Sequence, residues 1–80
     1  MQQDEITARL TGIFRKTFDD DRLEVTHEMT AADVEAWDSL SHINLILAIE
    51  RGFDIRLTTR EVRGMKNVGD LIETVARKTA

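Results

Sequence analysis

Between Asp4 and Phe18 the apolar residues Ile6, Leu10, Ile13, Phe14 and Phe18 recur at spacings of three and four. A helix gathers such positions on one side, so the spacing predicts a first helix with one buried face. Asp19-Asp20-Asp21-Arg22 ends it, because short acidic side chains bond to nearby backbone and compete with further helix. From there to Asp38 no period persists, yet Leu23, Val25, Met29, Val34 and Trp37 are spread along the segment. A connection this long is uncommon in a small domain, and its apolar residues predict an ordered loop packed on the helices. Thr30-Ala31-Ala32-Asp33 has the spacing of one capped turn inside it.

A second helix is expected from Asp38, whose carboxylate can cap free N–H groups, to just before Gly52, with Arg51 in its last turn. Thr58-Thr59-Arg60-Glu61 has the form of a capping box, opening a short third helix that Gly64 would close. Asn67 then caps a fourth helix with Val68, Leu71, Ile72 and Val75 on one face. Phe53-Asp54-Ile55-Arg56-Leu57 alternates like a strand, but without a second strand it reads as a connecting loop. The expected fold class is all-α: a small four-helix bundle over residues 1–80, with a long ordered first loop and a short third helix.

The second helix has two apolar faces. At about 100° per residue, Leu45, Ile46, Ile49 and Phe53 fall on one broad side, whereas Leu40, Ile43 and Leu47 form a narrow stripe roughly opposite. One face suffices for a core. The stripe is either a binding surface left near solvent or a second buried side covered by the short third helix. Ser39 stands at the head of this helix beside the stripe, and on residues alone Asp38-Ser39-Leu40 reads as a cap and a first turn.

Composition narrows the function classes. With 41% apolar and 32% charged residues, the chain falls among folded proteins rather than disordered ones. Eighty residues hide only about 60 to 65% of the surface that the unfolded chain exposes, which leaves little room for a deep catalytic cavity. The absence of cysteine excludes disulfides and thiolate metal sites and suits a reducing cytoplasm. His27 and His42 are isolated, so no metal site is expected. Met1-Gln2-Gln3-Asp4-Glu5 lacks the basic start of a secretion signal, and no apolar run approaches the roughly 18 residues needed to span a bilayer. No membrane insertion is expected. A net charge of −4 works against nucleic acid and anionic lipid and points to protein partners, with the chain itself monomeric.

Trp37-Asp38-Ser39-Leu40, followed by an apolar helix ending Ile49-Glu50-Arg51-Gly52-Phe53-Asp54-Ile55, resembles the acyl carrier protein family. The resemblance extends over nearly the whole chain, from the first amphipathic helix to the last helix after Asn67. It implies that Ser39 carries 4'-phosphopantetheine, transferred from coenzyme A by a magnesium-dependent phosphopantetheinyl transferase. The thiol of that arm would hold acyl groups as thioesters, so the chain would be a carrier and a substrate of other enzymes rather than an enzyme. Its partners would be acyl-loading, acyl-transfer or synthase enzymes. A phosphodiester on Ser39 would sit at a helix N-terminus, where the dipole favours negative charge by about 0.3 to 1 kcal/mol, but Asp38 opposes it by like-charge repulsion, so electrostatics alone does not predict a modified serine.

The resemblance also implies partner recognition by Asp38, Leu40, Ile43, Leu47 and Glu50, and an interior acyl cavity drawn from Leu45, Ile46, Ile49, Phe53, Leu57, Met65 and Leu71. Common fatty-acid carriers have a strongly acidic second helix. This chain places Ser41, Asn44 and Arg51 there, while Arg60, Arg63 and Lys66 make the third-helix region basic. Its acids lie instead in Asp19 to Asp21, Glu24, Glu28, Asp33 and Glu35. The departures point to a specialised fatty-acid, lipid or polyketide-type carrier with dedicated partners. His42, one turn after Ser39, reads as a partly exposed surface histidine, with a role at the cavity or the arm as the alternative. A D-alanyl or aminoacyl carrier and a plain helical interaction module remain open. A serine hydrolase built on Ser39 and His42 lacks the Gly-x-Ser-x-Gly elbow and a third orienting group.

Overall fold

The computed structural model describes residues 1–34 and 36–79; Glu35, counted above among the loop acids, lies outside them. The elements follow in the order α1 (Gln3–Thr17), a 3-10 turn (Ala31–Asp33), α2 (Ser39–Phe53), α3 (Thr59–Gly64) and α4 (Val68–Lys78). The fold is all-α, and no strand occurs among the described residues.

In α1 the predicted stripe is the buried one, with Ile6, Leu10 and Phe14 fully enclosed. Asp4 and Glu5 occupy its first turn and Arg15 and Lys16 its last, each sign at the end of the dipole that favours it. The helix stops where Asp19 takes a left-handed conformation, φ 52°, which a short polar side chain tolerates. Arg15 then donates from Nε to the Leu23 carbonyl at 2.7 Å, fixing the direction in which the loop departs.

The long loop is ordered because it supplies what the helices lack. The Val68 and Gly69 N–H groups, orphaned at the start of α4, donate to the carbonyls of Met29 and His27, both at 2.8 Å. Gly69 is required there, since a Cβ would come within 2.9 Å of the His27 oxygen. Asn67 caps the same helix by accepting from the Asp70 N–H at 2.9 Å. Within the loop, the Asp33 carboxylate accepts from the Thr30 N–H at 2.9 Å, closing the predicted turn. The Trp37 ring stands edge-on to Phe14 with centroids 5.4 Å apart.

The core joins Ile6, Leu10 and Phe14 of α1 to Leu45, Ile49 and Phe53 of α2 and to Val68, Leu71, Ile72 and Val75 of α4. The broad face of α2 therefore faces inward as its spacing predicts, with Ile46 half-buried at its margin. The end of α2 differs from expectation. The helix runs through Gly52 to Phe53, and Asp54 takes the left-handed cap, φ 53°. Burying Phe53, 7% exposed, requires that extra length. Gly52 instead marks close helix packing, because a Cβ there would meet Ile13 Cδ1 at 3.0 Å. Gly64 is likewise the last residue of α3, followed by Met65 in extended conformation.

Short α3 contributes no fully buried residue and is held mainly by polar contacts. Thr58 and Glu61 form the predicted reciprocal box at 3.1 and 2.9 Å. The Glu61 carboxylate also pairs with Lys78 at 3.0 Å, fastening α3 to the end of α4. The alternating segment is a loop, with Ile55 and Leu57 half-buried and Asp54 and Arg56 exposed.

Truncating the buried Phe53 to alanine should cost about 3 to 5 kcal/mol in chemical denaturation, and a loss below about 1 kcal/mol would contradict the packing described. Leu47→Ala, on the opposite face, should change stability by no more than about 0.5 kcal/mol.

Candidate functional site

The leading end of α2 combines an exposed serine, a capped helix start and two adjoining hollows. Asp38, in extended conformation, accepts from the Ser41 N–H at 2.9 Å, and its own carbonyl takes the His42 N–H at 2.9 Å. This starts the helix at Ser39 and leaves that side chain exposed. The Ser41 N–H bond holds the Asp38 carboxyl below its ordinary range, with smaller help from the Ser41 side chain. Asp38 is thus ionised at neutral pH.

An open depression beside Ser39 is bordered by Asp38, Ala31, Trp37 and His42. Behind it, under α2, lies an apolar cavity of about 120 Å³. Of the residues expected to line an interior cavity, Leu45, Ile46, Met65 and Leu71 do so. Ile49 and Phe53 are packed into the core instead, and Leu57 lies with Ile46 in a separate groove between α2 and α3. Trp37, Val68 and the 3-10 turn residue Ala31 complete the cavity wall. Local spacing holds no signal for these three, because the long loop and α4 bring them there.

His42 is partly exposed, as expected, but its ring is not free. Trp37 Nε1 donates to its Nδ1 at 3.1 Å, and the two rings lie edge to edge and nearly parallel, 19° apart, with centroids 6.1 Å apart. An indole N–H only donates, so His42 Nδ1 is the unprotonated nitrogen in this pair. Its ring is thus engaged with Trp37, not with the Ser39 hydroxyl.

The narrow stripe of α2 is open to solvent, with Leu40 70%, Ile43 59% and Leu47 46% exposed. The short third helix does not cover it. Glu50 lies at the other end of α2, where its carboxylate accepts from the Leu57 N–H at 2.8 Å and braces the following loop. Among the described residues no group of three His, Asp or Glu side chains could hold a metal ion, and no helix is long and apolar enough to cross a membrane.

No family model matches the chain. Relatives do. It is 30% identical over 76 residues to an acyl carrier protein of Caulobacter vibrioides, covering 95% of this chain and 97% of that protein. The chain belongs to the acyl carrier protein family. An acyl carrier protein of Acidothermus cellulolyticus is 29% identical over 79 residues, covering 99% of this chain and 94% of the relative. The solution NMR structure of a holo acyl carrier protein from Geobacter metallireducens superposes with a TM-score of 0.86 at 47% identity, over 90% of this chain and 83% of that one. These matches agree with a resemblance that covers nearly the whole chain.

Because the fold prefers the ionised Asp38, the stabilisation due to its charge is complete above the ordinary aspartate range and is lost as pH falls through the lowered value. Asp38→Asn retains a cap oxygen but not the charge. Denaturation midpoints across pH should show the native carrier ahead of this variant at neutral pH and the gap closing in acid. A gap independent of pH would rule out the charge-assisted cap.

Proposed function

We propose that this chain, as one carrier domain spanning residues 1–80, carries acyl groups as thioesters on a 4'-phosphopantetheine arm attached to Ser39. The supporting observation is the placement of that hydroxyl: exposed, in the first turn of a capped helix, beside an open depression that adjoins an apolar cavity. These surroundings fit the group. The helix dipole offsets the repulsion that the Asp38 carboxylate exerts on a phosphodiester, and the depression leaves space for an arm. When attached, the arm supplies the thiol that this cysteine-free chain lacks.

Ser39 Oγ is asked to form one new bond to the pantetheine phosphorus, with its proton and the nucleotide half of coenzyme A departing. The transferase provides the base. Asp38 holds the first turn so that the hydroxyl projects outward, and the apolar wall behind it offers an acyl chain shelter from water. In this reading the protein works in the cytoplasm as a substrate of other enzymes, not as a catalyst.

Incubation with coenzyme A and a broad-range phosphopantetheinyl transferase should add one phosphopantetheine mass, located by peptide mapping to Ser39 and absent in Ser39→Ala. An unmodified chain would leave a helical interaction module as the better reading.

The partner surface in this reading is the exposed stripe Leu40, Ile43 and Leu47. Its electrostatics favour dedicated partners. Helix α2 has no acid in its first turn, its one acid, Glu50, braces the Leu57 N–H, and exposed Asn44 and Arg51 flank the stripe. A synthase enzyme that docks carriers through basic residues gains little attraction here. Such an enzyme should turn this carrier over slowly, and Asn44→Glu combined with Arg51→Glu should raise its kcat/KM about tenfold. Turnover by the unaltered carrier at the rate of a fatty-acid carrier would reject the dedicated-partner reading.

A further inference from the structure

Three hollows converge on one side chain. The depression at Ser39, the interior cavity and the groove between α2 and α3 all include His42 in their walls. The depression and the cavity also share Ala31 and Trp37, so these three residues form the partition between the serine and the interior. Ala31 is too small to close a passage alone. The closure is made by the Trp37 and His42 rings, set edge to edge and joined by the hydrogen bond between them.

The two sides of this partition are held unequally. On its inner side the indole is fixed by aromatic neighbours, edge-on to Phe14 at 5.4 Å and tilted against Phe18 at 5.9 Å. On its outer side it is joined to α2 by one neutral hydrogen bond, the kind that contributes modestly to stability because water competes for it. Separating His42 from Trp37 therefore disturbs little else. Capacity is the second constraint. An apolar void of roughly 150 Å³ accepts a benzene-sized guest. The cavity here, about 120 Å³, corresponds to an acyl chain of about four to six carbons.

We propose that Trp37 and His42 form a latch between Ser39 and the interior, and that the space behind it selects short apolar acyl groups. A chain of about four to six carbons passes the latch and is enclosed with the hydrogen bond re-formed. A longer chain fills the void and keeps the two rings apart. An aminoacyl group stays outside, since its ammonium would lose hydration without gaining a charged partner among these apolar walls. This inference rests on the reading of Ser39 as the attachment site.

Trp37 is the sole tryptophan and the chain has no tyrosine, so indole signals report on the latch alone. The test loads Ser39 with non-hydrolysable pantetheine analogues bearing butyryl, hexanoyl, dodecanoyl or alanyl groups, each verified by intact mass. Readouts are the Trp37 indole N–H resonance, acrylamide quenching of its emission, and methyl resonances of Leu45, Met65 and Leu71. Butyryl and hexanoyl should shift the methyl signals with the indole N–H returned to its hydrogen-bonded position. Dodecanoyl should displace that resonance and raise quenching about twofold, and alanyl should change neither set.

His42→Ala should displace the indole N–H before any loading, whereas His42→Gln, which keeps an acceptor, should restore it. A complete mass gain with Trp37 unmoved by dodecanoyl and by His42→Ala would overturn the latch while leaving the carrier reading intact. Equal methyl shifts from alanyl and butyryl would overturn the selectivity. Failure of every analogue to add mass would overturn the attachment at Ser39 and the latch with it.

Discussion

Everything at the site depends on α2 being held from one side. Leu45, Ile49 and Phe53 fix the helix to α1 and α4, and that burial supplies most of what anchors it. The opposite face is then free of structural duty and can keep Leu40, Ile43 and Leu47 in water at some cost in solubility. A helix buried all round would have been more stable and could not have offered an accessible first turn. Gly52 belongs to the same economy of space: it lets Ile13 approach closely, so a small protein with few layers still encloses a continuous core.

The two glutamates near α3 show why residue type alone misleads about surface charge. Glu50 accepts the Leu57 N–H and Glu61 serves both the Thr58 N–H and Lys78. Their carboxylates hold the backbone and a neighbouring helix, so they contribute less to the outward field than a count of acids suggests. Arg51, Arg60 and Arg63 are exposed nearby. The net charge of −4 is thus a property of the loop side, and the face around the apolar stripe differs from it in sign.

Most of the fold was legible because its determinants are local. The three- and four-residue spacing in α1 and α4, the Asp38 cap, the Thr58–Glu61 box and the two faces of α2 each depend on neighbours within a turn or two. The end of α2 was not, since Gly52 satisfies a contact with Ile13, far along the chain, while Asp54 meets the local need for a left-handed residue. The cavity was legible in part for a similar reason. Helical phase identifies Leu45 and Ile46 as inward, but it cannot tell a residue packed solidly, like Ile49, from one beside a void. That distinction depends on where the long loop lays Ala31 and Trp37, which the hydrogen bonds from α4 to His27 and Met29 determine.

Asp38 presents an apparent conflict, since a carboxylate adjoins the very serine expected to bear a phosphodiester. The geometry reduces it. The Asp38 charge is directed to the Ser41 N–H, and the surroundings are exposed, where water screens like charges strongly. The N–H groups of Ser39 and Leu40 are further helix-start donors, at the positive end of the dipole. Attraction by the dipole and repulsion by Asp38 are then of similar, small size, so the site would hold a free phosphate poorly. On the proposed reading, a phosphate group at such a place would depend on a covalent bond rather than on this weak field, and the exposed hydroxyl that could form one is that of Ser39.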